Sequence, residues 1–288
     1  MPGRRLPDER TLLALGYTHP EQIRRRQVLA ETLAALDTPA QRARYHELAA
    51  ANLERWHSAD RHHQEPASRV QVIAGDWGEV TASLTRSYGV CFAALNMANA
   101  HVPGGAYVEG TVAQEENMFR RTDCHFSIHD DHYNPELDRY RPKMTRLLSG
   151  LDGTVLLDVQ QPRVCIRGQE DRSRADLGYA WLAEDEIFPF FELRAAAQRL
   201  RDSDPFDATE ARRRIAVQLD TLRHHGIRHA VLSAFGCGAF KNPAAVVAEL
   251  YREELDRRSD DFAVVAFAIF APGYGPDNYR PFAEVFTE

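Results

Sequence analysis

The stretch His229-Ala230-Val231-Leu232-Ser233-Ala234-Phe235-Gly236-Cys237-Gly238-Ala239-Phe240-Lys241-Asn242-Pro243 decides the fold class. It opens as an unbroken apolar run and passes through two glycines spaced by one residue. It ends on Asn242 and Pro243, an N-cap residue and a proline suited to a first helical position. That order predicts a strand over His229 to Ala234, a tight loop, and a helix reaching about Asp256. Just upstream, Asp207 as N-cap, Glu210 three residues on and Gly226 as a stop predict a helix over Asp207 to His225 that feeds directly into the strand. Working outward, Val70 to Ala74, Val90 to Met97, Thr154 to Val159 and Phe262 to Phe270 are further strand candidates. Most are near-continuous runs of Val, Ile, Leu and Phe, as in strands covered on both faces. The fold class is therefore α/β, with helices on both faces of a mixed sheet. Before it, Pro20 to Trp56 carries apolar residues at helical spacing, and the polar stretch Ser58 to Ser68 reads as a solvated loop.

Composition narrows the function classes. The 288 residues are 44% hydrophobic and 27% charged, values of a folded chain rather than a disordered one. The 35 basic against 42 acidic residues give a net charge of −7, which argues against gripping nucleic acid by bulk charge. Cys91, Cys124, Cys165 and Cys237 lie far apart with no Cys-x-x-Cys, so neither a disulfide framework nor a cysteine metal cluster is expected. No secretory signal is read at the charged Met1 to Arg10, and the longest apolar stretch, Phe262 to Ala271, is too short to span a bilayer. The expectation is a reduced, cytoplasmic protein with no membrane partner.

Two loops look suited to phosphate. His101-Val102-Pro103-Gly104-Gly105-Ala106 follows the strand ending near Met97, and Thr111 with Gln114 in capping-box spacing predicts a helix start at Thr111. Phe235 to Lys241 repeats the strand–loop–helix arrangement. Glycines before a helix N-terminus let backbone N–H groups approach an anion. For a loop read alone, an ordinary tight turn is the more frequent explanation. Two of them in one α/β domain fit a diphosphate better than a monophosphate, and neither has the Walker or dinucleotide spacing.

Gln114-Glu115-Glu116 comes directly after the first loop. Acids in the first turn of a helix complement its dipole, which is the plainer explanation. Neighbours about 100° apart around a helix can both line a site but cannot perform one role. Two close carboxylates in a partly dry cleft push one pKa up, keeping a general acid protonated beside an ionised partner. Glycosidic cleavage needs that acid at the leaving oxygen. Truncating one of the pair should then cost rate, and the other mainly ribose binding.

Leu95-Asn96-Met97-Ala98-Asn99-Ala100-His101-Val102-Pro103-Gly104-Gly105-Ala106 with Gln114-Glu115-Glu116, together with Phe235 to Pro243, resembles the bacterial-type poly(ADP-ribose) glycohydrolase family, a branch of the macrodomain fold. The resemblance implies a macrodomain-like three-layer α/β/α unit with a mixed central sheet over 69–288, after an N-terminal helical extension over 1–68. It implies an ADP-ribose pocket and hydrolysis of the ribose–ribose O-glycosidic bond of poly(ADP-ribose) to release ADP-ribose, with neither metal nor cofactor. A closed pocket around the terminal ribose would exclude internal units, so action from the chain end is expected. By motif position Glu116 would be the catalytic acid that later activates water, Glu115 would hold ribose hydroxyls, and Gln114 would support them. Asn99 corresponds to a distal-ribose contact and Asp76 to the adenine-binding aspartate. Gly104, Gly105 and Ala106 correspond to the first diphosphate loop, and Gly236, Cys237, Gly238 and Ala239 to the second. Phe240 would pack on the distal ribose. Ala106 stands where the family has a third glycine, and its methyl would crowd a diphosphate if the position needs positive φ. The alternatives are a hydrolase of mono-ADP-ribosyl marks, and a non-catalytic ADP-ribose reader, which has no need of two acids.

Other features are weighed against plainer readings. Cys124, His125, His129, Asp130, Asp131 and His132 resemble a metal constellation but complete no ligand set, so a helix end and polar loop is preferred. His62 and His63 read as a solvated pair. Cys237 is read as structural rather than nucleophilic, and Lys241 either neutralises a phosphate or is an exposed loop residue. Gly273 to Tyr279 either closes over the adenosine, with Tyr274 or Tyr279 stacking on adenine, or is a surface turn.

Overall fold

The computed structural model describes residues 3–59, 69–201, 204–271, 273 and 275–286. Helices α1 (Glu9–Ala14), α2 (Pro20–Ala35) and α3 (Pro39–Ser58) come first. The helical pattern from Pro20 to Trp56 splits in two because Pro39 starts a new helix behind a Thr38–Gln41 capping box. Then follow β1 (Val70–Ala74), α4 (Trp77–Tyr88), β2 (Ala93–Met97) and α5 (Gln114–Arg121). A 3-10 turn at Cys124–Ser127 leads to the hairpin β3 (Tyr133–Asn134) and β4 (Arg139–Tyr140), then α6 (Pro142–Leu148). Short strands β5 (Leu156–Leu157) and β6 (Arg163–Cys165) precede the long β7 (Phe188–Ala195). The chain ends with α7 (Ala208–His224), β8 (His229–Leu232), α8 (Ala244–Asp256), β9 (Val264–Ile269) and α9 (Tyr279–Phe286).

The main sheet has the order β1-β9-β8-β2-β7-β5, with β6 also paired to β7. The first five strands are parallel, and β5 and β6 run antiparallel to β7. Both faces are covered, so successive side chains feed two different cores. In β9, Val265, Phe267 and Ile269 join α7, α8 and α9 on one side. Val264, Ala266 and Ala268 meet Val80 and Leu84 of α4 on the other. This explains the unbroken apolar runs of the sequence and bears out the three-layer α/β reading. Helix α2 lies against α5, and α3 against β6, β7 and α4. The polar stretch from 60 to 68, including His62 and His63, lies outside the described residues.

The central strand β7 escapes the apolar-run criterion. Its sequence Phe-Pro-Phe-Phe-Glu-Leu-Arg-Ala carries Glu192 and Arg194, which look solvent-seeking but are 5% and 1% exposed. They neutralise each other across 2.7 Å, and Asn96 of β2 donates to Glu192 at 2.7 Å. Burial pushes the Glu192 carboxyl up, but Arg194 outweighs it and holds the group below its usual range.

Candidate active site

The carboxyl ends of the parallel strands converge on a cavity of about 450 Å³. Ligands of open α/β sheets sit at this edge, where the strand ends leave a crevice. Met97 and Asn99 border it after β2, Ser233 and Ala234 after β8, and Ile269 and Phe270 at the end of β9. Asp76 and Trp77 contribute from the β1–α4 junction, and Gln114, Glu115, Glu116 and Asn117 from the first turn of α5.

Helix α5 begins at Gln114, not at Thr111. Its N-cap is Ala113, with no side-chain cap, and the Thr111 hydroxyl instead donates to the Ala106 carbonyl at 2.8 Å. Gln114 is drawn to the sheet: its amide donates to Leu95 O at 2.7 Å and accepts from Met97 N at 2.9 Å. The end of β2 is thus locked to the start of α5. Gln114→Ala should cost about 1–3 kcal/mol of stability, since both backbone groups lose their partner. Denaturant unfolding measures this directly.

Glu115 and Glu116 are 3% and 9% exposed. The first glycine loop wraps them. Gly104 N donates to Glu115 Oε1 at 3.1 Å, Asn99 N to Glu115 Oε2 at 2.7 Å, and Ala106 N to Glu116 Oε1 at 3.0 Å. Burial raises the Glu115 carboxyl well above its ordinary range, and the neighbouring Glu116 adds to this. Burial also raises Glu116, against the opposing pull of the Ala106 amide. Gly105 fits only as glycine. Its φ is +58°, and a Cβ there would lie 2.3 Å from Glu116 Oε1 and 3.2 Å from Glu115 Oε2. The two carboxylates therefore close on one point of the loop backbone.

The first loop sits differently from the second. Gly104, Gly105 and Ala106 are not among the residues that line the cavity. The amides of Gly104 and Ala106 hold the protein's own carboxylates, and that of Gly105 donates to Val102 O at 3.0 Å. In this structure the loop amides thus hold the carboxylates of Glu115 and Glu116. Ala106 does not take positive φ, as the left-handed non-glycine residues described are Asp138, Leu177, Tyr179 and Lys241. The missing third glycine therefore brings no backbone strain.

The second loop does face the cavity. Gly236, Gly238, Ala239 and Phe240 line it. Among the described residues, nothing accepts from the amides of Gly238, Ala239 and Phe240, whereas Cys237 N, Lys241 N and Asn242 N are used inside the loop. These three successive amides have no partner of the protein's own among the described residues at the cavity wall. Cys237 is 2% exposed and off the cavity wall, and burial pushes its thiol up to about 12, which removes it as a nucleophile. Asn242 does not cap α8. Its amide is spent on the Gln198, Gly236 and Phe240 carbonyls, and Pro243 is the N-cap. Lys241 is exposed and off the cavity wall.

Asp76 lines the cavity and caps α4, accepting from Gly78 N at 2.8 Å and from Arg121 at 2.5 Å. The Asn99 side-chain oxygen accepts from the amides of His101 and Val102 at 2.9 and 3.1 Å. Trp77, Asn117, Glu170, Arg172 and Phe270 also border the cavity and escaped the sequence reading. Trp77 has a visible signal, since it adjoins Asp76 at the start of α4 and donates to Asn117 Oδ1 at 3.0 Å. Glu170 and Arg172 come from a loop with no strand–glycine–helix signature. Gly275, Pro276 and Asn278 close the C-terminal side. Tyr279 instead opens α9 and packs on the core, and Tyr274 lies outside the described residues. Among the described residues no three His, Cys, Asp or Glu are placed to hold a metal, and His125 is bonded to the Tyr107 hydroxyl at 2.7 Å.

Residues 20–147 match the family model of the microbial-type PARG (poly(ADP-ribose) glycohydrolase) catalytic domain. A search of curated proteins returned no match. The fold is that of bacterial poly(ADP-ribose) glycohydrolase structures. That of the Thermomonospora curvata enzyme superimposes with a TM-score of 0.61 at 22% identity, over 91% of this chain and 99% of that one. The same enzyme bound to the inhibitor ADP-HPD gives 0.57 at 23% identity, with the same coverage. The Deinococcus radiodurans enzyme in complex with ADP-ribose gives 0.54 at 21% identity, over 85% of this chain and 92% of that one. The resemblance is thus borne out by the family match over 20–147, which holds the first loop and the Gln-Glu-Glu turn, while over the rest of the chain the likeness is one of fold.

Proposed function

We propose that this chain is a poly(ADP-ribose) glycohydrolase that releases ADP-ribose from the chain end, with Glu116 as general acid and base. The observation that carries the reading is the buried carboxylate pair on the wall of a cavity whose other side offers three open backbone amides. The amides of Gly238, Ala239 and Phe240 take the diphosphate, and Asp76 and Trp77 flank the adenosine end. The reacting ribose then lies against α5, beside Asn99 and Phe240. Burial raises both carboxyls, so each favours holding a proton, and the loop amides temper both. Glu116 is assigned the catalytic proton by its place in the Gln114-Glu115-Glu116 turn, with Glu115 as its partner. Glu116 gives it to the leaving ribose oxygen as the glycosidic bond breaks, Glu115 balances the developing positive charge, and the Glu116 carboxylate then takes a proton from the attacking water.

A reader would gain nothing from burying two acids, since an unreacted ADP-ribose needs no proton donor. The volume of about 450 Å³ holds one small ligand rather than several linked units, which supports action on the terminal unit. The test is a time course of purified protein with poly(ADP-ribose), the products resolved by length. ADP-ribose accumulating from the start is expected, without early short oligomers. Oligomers appearing first would refute end-directed cleavage, and turnover confined to mono-ADP-ribosylated protein would refute the polymer as substrate. Glu115→Gln should raise KM by about tenfold or more, with a smaller loss in kcat than the equivalent change at Glu116. Initial rates over a substrate series separate the two effects.

A further inference from the structure

The peptide group between Gly105 and Ala106 is held from both ends. Its N–H donates to Glu116 Oε1 at 3.0 Å, and its carbonyl accepts from Arg4 Nη1 at 2.6 Å. Arg4 comes from the segment before α1, far from α5 in sequence, yet it is 4% exposed. Its guanidinium is fixed by Asp138 on the β3–β4 hairpin and by Glu109 at 3.2 Å, and it lies over the Tyr107 ring at 5.6 Å. The chain can thread there because Gly3 passes directly against His125, where a Cβ would lie 2.1 Å from the ring. Gly3 N also donates to Ile128 O at 3.0 Å. A peptide beside a left-handed glycine turns over at low steric cost. Turning this one would take its N–H away from the carboxylate.

We propose that Arg4 is a positioning residue for Glu116, holding the 105–106 peptide by its carbonyl so that the amide of the same group stays aimed at the Glu116 carboxylate. A cation on the carbonyl also polarises the peptide and strengthens its N–H as a donor. The inference rests on the reading of Glu116 as the acid only where it concerns rate; the geometry of the peptide stands apart from it. The other charged groups around the pair are Glu115 and Arg120 on α5, Glu109 in the preceding loop, Arg26 on α2, and the Glu192–Arg194 pair of β7. Glu109 loses its Arg4 partner in the substitution and, left uncompensated, pushes the Glu116 carboxyl in the same upward direction, whereas Arg120, Arg26 and the Glu192–Arg194 pair make no contact with Arg4.

Arg4→Met keeps the buried bulk and removes the donor. The expected result is a fall in kcat of about tenfold with KM within about twofold. The alkaline limb of the kcat profile should move to higher pH, because the charged form of Glu116 loses part of its donor. A second readout needs no turnover: the backbone 15N resonance of Ala106, followed against pH, reports the carboxylate it touches. Its titration midpoint should move upward in Arg4→Met, with Arg4→Lys intermediate. An unmoved midpoint overturns the proposal whatever the rate does. A moved midpoint with wild-type kcat supports the positioning role and instead rejects Glu116 as the acid. Should Arg4→Met not fold, Arg4→Lys decides, and a wild-type midpoint there overturns the proposal.

Discussion

Glu116→Gln should bind ADP-ribose within about threefold of the wild-type affinity while kcat falls by about 10²–10⁴-fold, the usual contribution of a general acid. The size of the separation follows from isostery. The side-chain oxygen of glutamine still accepts from Ala106 N, so the glycine loop keeps its shape, but the group has no acidic proton to give. Calorimetric binding of ADP-ribose alongside single-turnover rates measures both halves, and a variant retaining the wild-type rate would remove Glu116 from the chemistry. The same substitution should reveal itself in stability against pH. Burial raises the Glu116 carboxyl in the folded chain, so folding favours its protonated form. The stability associated with that group is fully present below the unfolded carboxyl pKa and is lost as pH rises through the higher folded value. Wild type should therefore lose Tm across that window while Glu116→Gln loses less, and above it the variant should be the more stable of the two. Activity carries the same sign, since a general acid stops working as it deprotonates, so kcat should fall on the alkaline side.

The parts legible in the sequence are those where local chemistry and tertiary role coincide. The helix from Ala208 is announced by Asp207, which accepts from Thr209 N and Glu210 N as an N-cap should. Strands β8 and β9 are announced by apolar runs because both their faces are buried. The parts that misled are those where a residue with a familiar local role is used at long range. Asn242 and Thr111 are good N-caps by type, yet Asn242 ties its loop to Gln198 and Thr111 closes the turn at Ala106. Strand β7 hid behind Glu192 and Arg194, whose charges make sense only once paired inside the sheet. The two glycine loops looked alike in sequence, and nothing local distinguished a loop with open amides from one already occupied by carboxylates lying 10 and 11 residues further on. The distinction is made by α5, whose first turn is swung against the loop by the Gln114 clamp on β2.

That arrangement makes Gly105→Ala the most damaging single-methyl change in the site. The added Cβ would sit 2.3 Å from Glu116 Oε1 and 2.9 Å from its Cδ, well inside contact distance, and the residue would be an alanine held at φ +58°. Left-handed backbone costs about 1–2 kcal/mol for an L-residue. Because loop and helix are both pinned, relief must come from moving the carboxylate, which then parts from Ala106 N. A reacting group displaced by about 1 Å loses on the order of 10²-fold in rate, so kcat should fall at least that far. Stability should fall by about 2–4 kcal/mol, strain and a displaced buried carboxylate adding together. The neighbouring Ala106→Gly is the matched control, since that position is not left-handed and needs no glycine. It should stay within about twofold in kcat and lose no more than about 1 kcal/mol, the entropic cost of a glycine. Steady-state kinetics and urea midpoints on the two variants check both figures. Equal effects at 105 and 106 would mean that general loosening of the loop, and not contact with Glu116, sets the rate.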